Sequence, residues 1–182
     1  VYAEQSTIQI VGCEFRDNGA SGEFDGCGYG GAIYAYQSDL DIGSSVFVEN
    51  GQLSNCGGGG GALYCSQSVL AVSDCHFVRN LSYQSAGAIR LSSTSASFLD
   101  SRFDENSADT GSSFACDTDG SLTLEGCVFI RPPHLSSVGC EIYNAYGQLS
   151  VRSSTFVTSG ISWQNAFLES RATPEISDCL FV

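Results

Sequence analysis

The sequence predicts an all-β fold, a right-handed parallel β-helix (solenoid) of about seven coils with three short strands per coil. Three observations predict it. A phenylalanine recurs along the whole chain, at Phe15, Phe47, Phe77, Phe103, Phe129, Phe156 and Phe181, at intervals of 32, 30, 26, 26, 27 and 25 residues. Each repeat carries three short apolar pairs of period two, the alternation of a strand with one face turned inward. Between the pairs stand Gly, Ser, Asn and Asp, the residues of turns.

With phenylalanine as anchor, the other columns follow. Five residues before it stand Ile10, Ile42, Val72, Phe98, Leu124, Val151 and Ile176. Seven before it stand Ile8, Leu40, Leu70, Ala96, Leu122, Leu149 and Pro174. Fourteen before it stand Val1, Ile33, Leu63, Ile89, Ile142 and Phe167, with Phe114 one residue further back. A single coil has nowhere to bury such a face, but coils stacked about 4.8 Å apart bury it continuously. Phe77 is therefore expected to stack between Phe47 and Phe103 in the core. The whole chain, residues 1–182, reads as one β-helix segment, and the pattern is in register at both ends. We expect it to be an excerpt of a longer solenoid, because terminal repeats need a polar cap.

Three residues after phenylalanine stand Asn18, Asn50, Asn80 and Asn106; Pro132 and Ser159 replace them later. Asparagine tolerates left-handed geometry and can bond turn backbone, so the column is expected to form a structural ladder. Asn80-Leu81-Ser82 is also a glycosylation sequon, in competition with that ladder. Two residues before phenylalanine, Cys13, Ser45, Cys75, Ser101, Cys127, Ser154 and Cys179 alternate without exception. Cysteines two coils apart are roughly 9–10 Å apart, beyond disulfide reach, and should be free fillers. Leu91 separates Cys65 from Cys116 in the same way, and the sequence leaves the pairing of Cys65, Cys116 and Cys140 open. Cys27 and Cys56 sit in matching loops of adjacent coils and are the disulfide candidate.

Composition narrows function. There are 20 acidic residues against 7 basic ones, all Arg, and the net charge of −13 opposes a nucleic-acid groove or an anionic membrane surface. No apolar run could insert into a bilayer. Nine Cys lean towards an extracellular or cell-surface setting. They lack paired zinc spacing, and His76 and His134 lie far apart, so no metal or cofactor is expected. Val1 opens directly into the strand pattern without a signal peptide, which suggests a mature or internal start. The Gly-rich runs before the first strands lack the Lys and helix of a phosphate loop.

Those runs carry a resemblance. Gly30-Gly31-Ala32-Ile33 is followed by Phe47-Val48-Glu49-Asn50, and Gly60-Gly61-Ala62-Leu63 by Phe77-Val78-Arg79-Asn80. Gly87-Ala88-Ile89 with Phe103-Asp104-Glu105-Asn106 keeps the pattern in weaker form, and the later coils lose it. The double motif resembles the repeats of chlamydial polymorphic membrane proteins and passenger domains of the pectin-lyase-like class. The resemblance implies a right-handed β-helix and a passenger or adhesin role at a cell surface.

Many β-helices instead cleave acidic polysaccharides, as lyases or glycoside hydrolases with carboxylates clustered on one exposed strand face. Here Asp39 and Asp41 face outward, but the next coils offer Val69, Ala71, Ser95 and Ser97. Asp74 and Asp100 share a column and read as turn residues. Asp104, Glu105 and Asp109 share one turn and loop and leave a weak calcium site as an alternative, whereas the Asp117–Gly120 turn lacks the remaining ligands of a calcium loop. The sequence therefore favours a non-enzymatic structural or adhesive module of a cell-surface or filament protein. Its partners would be neighbouring coils or subunits, glycans or a cell-surface protein. A carbohydrate-active enzyme is the first alternative. A ligand-binding flat face built from Thr7, Ser95, Ser97, Ser121, Thr123, Ser150 and Thr173 is the second.

Overall fold

The computed structural model describes residues 1–21, 28–52, 58–117, 119–131, 140–158 and 167–182. Three seven-stranded sheets run the length of the chain, and every strand pairs in parallel with its counterpart one repeat away. The first sheet starts at Tyr2–Glu4 and continues through Ile33–Tyr36 to Leu168–Ser170. The second, with the longest strands, runs from Thr7–Val11 through Asp39–Gly43 to Glu175–Ser177. The third runs from Glu14–Arg16 through Val46–Val48 to Leu180–Phe181. The chain is thus a parallel β-solenoid. A fourth sheet, beyond the three expected strands, pairs Gly19–Ala20, Gly51–Gln52 and Leu81–Ser82. It forms because the backbone resumes extended geometry directly after the asparagine corner.

The columns pack on themselves. Adjacent phenylalanine rings from Phe15 to Phe181 lie 4.7–5.0 Å apart and within 9° of parallel. Phe47, Phe77 and Phe103 are fully buried. Ile33, Leu63, Ile89, Phe114 and Ile142 line the first sheet's inner face, and Leu40, Leu70, Ala96, Leu122 and Leu149 line the second's. One register expectation is corrected: Leu168, not Phe167, pairs with Ile142. Counting back from phenylalanine assumes a constant corner length, and in the last repeat that path is one residue shorter. Phe167 still packs between the rings of Phe156 and Phe181, at 5.5 and 5.6 Å.

The corners are built on single left-handed residues. Between the second and third sheets, Gly12, Ser44, Asp74, Asp100, Gly126, Ser153 and Asp178 all have φ between 48° and 64°. Their N–H groups still reach the next repeat; Ser44 donates to Ser73 O and Asp74 to Leu99 O. The following N–H is turned away from any carbonyl and must find a side chain. Cys13 N–H donates to Ser45 Oγ, Ser45 to Cys75 Sγ, Cys75 to Ser101 Oγ and Cys127 to Ser154 Oγ. Each hydroxyl or thiol donates in turn to the carbonyl two residues earlier, as Ser45 Oγ to Gly43 O and Cys75 Sγ to Ser73 O. The alternating Cys/Ser column is therefore a hydrogen-bonding device rather than apolar filler, because a thiol has a hydroxyl's donor geometry.

The same logic serves the other corners. Gln5, Gln37, Gln67 and Ser93 are left-handed between the first and second sheets, and Ser38, Ser68 and Thr94 accept the N–H groups that follow. After the third sheet, Asp17, Glu49, Arg79 and Glu105 are left-handed and precede the asparagines. There Asn80 Oδ1 accepts from both the N–H and Nδ2 of Asn50. Asn80 Nδ2 donates to Phe47 O and Asn106 Oδ1. Glycine is required where the first strand begins: Gly30 has φ +57°, and a Cβ there would lie 2.0 Å from Ile33 O.

Candidate functional site

A groove of about 440 Å³ lies on the outer face of the second sheet, over its last three repeats. Its floor is set by strand register. Ser121 pairs with Gln148, and Thr123, Ser150 and Glu175 stand side by side, pointing outward. Leu122 and Leu149 alternate with them and point into the core. The groove exists because the corner beside it is enlarged. Two residues separate Tyr36 from Asp39, but four separate Cys116 from Ser121 and three separate Asn144 from Gln148. The extra length raises Tyr146, 61% exposed, as a wall above the sheet.

Asn144 holds that wall. It occupies the core column of Ala35, Cys65, Leu91 and Cys116, where its neighbours are apolar or thiol. Fully buried, it donates from Nδ2 to Gly147 O at 2.7 Å and to Ser170 Oγ at 3.2 Å. Its Oδ1 is buried without a protein partner, beside a void of about 10 Å³ shared with Gly147 and Gln148, close to the smallest space that holds a water. On the groove floor, Ser150 Oγ also lacks a protein partner. On the far side of Tyr146, Arg171 lies 6.0 Å from the ring centroid and donates to the tyrosine hydroxyl at 3.4 Å.

A family model described as the right-handed β-helix region matches residues 1–156. The chain belongs to the right-handed β-helix family. No curated protein and no solved structure shows significant similarity to it.

Within this right-handed β-helix, the asparagines face inward: Asn50, Asn80 and Asn106 are buried, whereas Asn18 in the first repeat is exposed. Asn80 spends both amide hydrogens inside the ladder, so the folded chain presents no side-chain amide for glycosylation at the Asn80 sequon. Cys27 and Cys56 lie outside the described residues. The other seven cysteines are free. Burial pushes the Cys65 and Cys116 thiols up to about 12 and Cys127 to about 11, which keeps them un-ionised at neutral pH.

The carboxylates singled out in the sequence do not converge. Asp41 accepts from Gln9, with Val69 and Ala71 on the repeat beside Asp39 and Asp41. Asp74 and Asp100 sit at left-handed corners. Asp117 pairs with Arg90 at 2.5 Å, and Asp104 with Arg102 and His76 at 2.7 and 2.9 Å. Among the described residues no group of three His, Cys, Asp or Glu side chains is arranged to hold a metal. Among the described residues no helix is long and apolar enough to cross a membrane.

Of the seven residues of the flat-face reading, Ser121, Thr123, Ser150 and Thr173 meet in the groove, while Thr7, Ser95 and Ser97 lie on earlier repeats. Sequence reasoning missed Tyr146, Gln148 and Asn144. The signal was present: a longer corner, and an asparagine inside an apolar column.

One further buried polar group was also missed. The small-residue column Ala32, Ala62, Ala88 ends in Ser113 and Glu141. Glu141 is 2% exposed and accepts from Ser113 Oγ. Burial pushes its carboxyl up to about 7, against the pull of Ser113 and the charge of buried Arg131.

Proposed function

We propose that this chain is a non-catalytic structural or adhesive module of an extracellular or cell-surface assembly, displaying the outer face of its second sheet. The observation that carries this reading is how the polar side chains are spent. The asparagine, serine and cysteine columns satisfy corner backbone, and their hydroxyls, amides and thiols are committed to neighbouring repeats. Asp104 and Asp117 are paired with arginine, and Asp74 and Asp100 serve as corners. Side chains used in this way stabilise a stack; acid–base catalysis needs them convergent and free. The resemblance of the paired Gly-Gly-Ala-Ile and Phe-x-x-Asn motifs to polymorphic membrane protein repeats supports a cell-surface setting. The acid excess supports partners other than nucleic acid. The oxidising compartment rests on Cys27 and Cys56, since free buried thiols are compatible with any compartment.

The test measures adhesion and turnover together. Beads coated with the chain are expected to bind cells, while incubation with pectate, alginate and hyaluronan releases no new reducing or unsaturated ends. Steady release of such ends, abolished by Asp39→Asn or Glu175→Gln, would replace the module with a carbohydrate-active enzyme.

A further inference from the structure

We propose that Tyr29 and Tyr64 form an oxidative modification site, where a haem peroxidase using hydrogen peroxide joins them into an intrachain dityrosine that staples adjacent repeats. The site lies on the first sheet and is independent of what the second sheet displays. Strand register stacks Tyr2, Tyr34 and Tyr64 in one outward row, with Ile33 and Leu63 turned into the core beside them. Their rings are near parallel, with centroids 5.4 and 5.6 Å apart. Tyr29 breaks this pattern. It stands at the glycine-rich entry to its repeat, bridged to Gly59 of the next, and its ring lies 4.8 Å from that of Tyr64 with the planes 53° apart. Arg90, next in the row, lies 5.7 Å over the Tyr64 ring and is held by Asp117 and Gly58 O. The Tyr64 ring is thereby fixed between a cation on one face and Tyr34 on the other.

That geometry selects the pair. Each phenol gives one electron and its hydroxyl proton to the peroxidase, and peroxide takes up both electrons and both protons to become water. The two phenoxyl radicals then form one carbon–carbon bond between an ortho carbon of each ring. Each ortho hydrogen moves to the oxygen of its own ring and restores the phenol, so the chain loses two hydrogens in all. Such a bond brings ring centres slightly closer than the present contact and leaves the planes inclined. Tyr29 and Tyr64 already approach that arrangement, whereas the stacked pairs turn faces, not ortho edges, to each other. Tyr29 is 38% exposed and open to the oxidant. A ring already in contact outcompetes one on another chain, which must also approach against a like charge of −13. The staple acts where the chain has most freedom to lose. Gly30-Gly31 and Gly58-Gly59-Gly60-Gly61 border the pair, so tying the two repeats there constrains the unfolded chain.

The experiment treats the purified chain with hydrogen peroxide and a haem peroxidase, then reads dityrosine fluorescence, denaturing gels under reducing conditions and peptide masses. The expected product migrates as a monomer and has lost the mass of two hydrogens. Cleavage after Glu49 leaves the two tyrosines on separate peptides, and tandem mass spectrometry of the linked pair locates the bond. Tyr29→Phe and Tyr64→Phe keep the rings but remove the phenols, and each should lower the dityrosine yield by about tenfold or more. Tyr146→Phe, at an exposed tyrosine beside Arg171, should leave the yield unchanged. Circular dichroism confirms that each variant is folded. The cross-linked chain should unfold at a higher urea concentration than the untreated chain, with reductant in both samples. A bond mapped to any other pair, products linked only between chains, no dityrosine at all, a yield insensitive to both Phe variants, or an unchanged urea midpoint overturns the proposal.

Discussion

Replacing Asn80 by alanine isolates what the asparagine ladder contributes. The side chain makes four hydrogen bonds, accepting two from Asn50 and donating to Phe47 O and Asn106 Oδ1. These losses are unequal. Asn106 Oδ1 keeps the bond from Asn80 N–H, and Asn50 Nδ2 keeps its bond to Phe15 O. Asn50 N–H and the second Nδ2 hydrogen of Asn50 lose their only partner among the described residues, in a residue with no exposure. A stranded buried donor costs about 1–3 kcal/mol, and the two weakened acceptors add less, so Asn80→Ala should destabilise by about 3–4 kcal/mol. Asn18→Ala is the control. Asn18 is exposed and, among the described residues, its N–H and Nδ2 bond only to Asn50, so its loss should cost about 1 kcal/mol or less. Urea midpoints followed by circular dichroism give both values at constant slope. Equal effects for the two variants, or an Asn80→Ala change within about 0.5 kcal/mol of zero, would refute the reasoning.

Two further outcomes are expected. Phe77→Ala removes a fully buried ring stacked at 4.7 and 5.0 Å and should cost about 3–5 kcal/mol, whereas Phe181→Ala, half exposed, should cost clearly less in the same urea assay. Glu141→Gln should alter the pH dependence of stability. Because the folded-state carboxyl titrates near 7 rather than 4.5, the unfolded chain ionises first as pH rises, and stability falls from about pH 4.5 to 7 by roughly 3 kcal/mol in all. Gln still accepts from Ser113 and removes that fall, so urea midpoints of the two proteins should nearly meet at pH 4 and separate at pH 8, the variant being the more stable.

The fold was legible because its signal is redundant. Each apolar column repeats the same residue class, and an error at one coil is outvoted by the others. The asparagine and Cys/Ser columns were legible as columns, but not the hydrogen bonding of the thiols, since a spacing argument sees distance and not the unpaired N–H at each corner. The Ser38–Ser68–Thr94 ladder escaped for a related reason: in a serine-rich chain those residues carry no compositional contrast. Phe167 was placed one position away from Leu168 because corner length varies, and a fixed offset cannot register it. The groove was half legible. Its hydroxyl floor follows from alternation, but Tyr146 and Asn144 sit where the repeat breaks, and a break shows its consequence only when neighbouring repeats are in place. Glu141 carried no motif of its own in the sequence, and only the alanine column places it inside.

Native-state thiol mapping tests the central claim most directly, that the levels stack in one register and that interior side chains serve the stack. Alkylation of the folded chain, followed by unfolding, a second label and peptide mapping, reads every cysteine at once. The account predicts that Cys13 reacts first and Cys179 next, that Cys65, Cys75, Cys116, Cys127 and Cys140 label only after unfolding, and that Cys27 and Cys56 are recovered as one disulfide-linked peptide. Ready labelling of Cys65 or Cys116 in the folded chain, or a native disulfide between any two of Cys13, Cys75, Cys127 and Cys179, would contradict it.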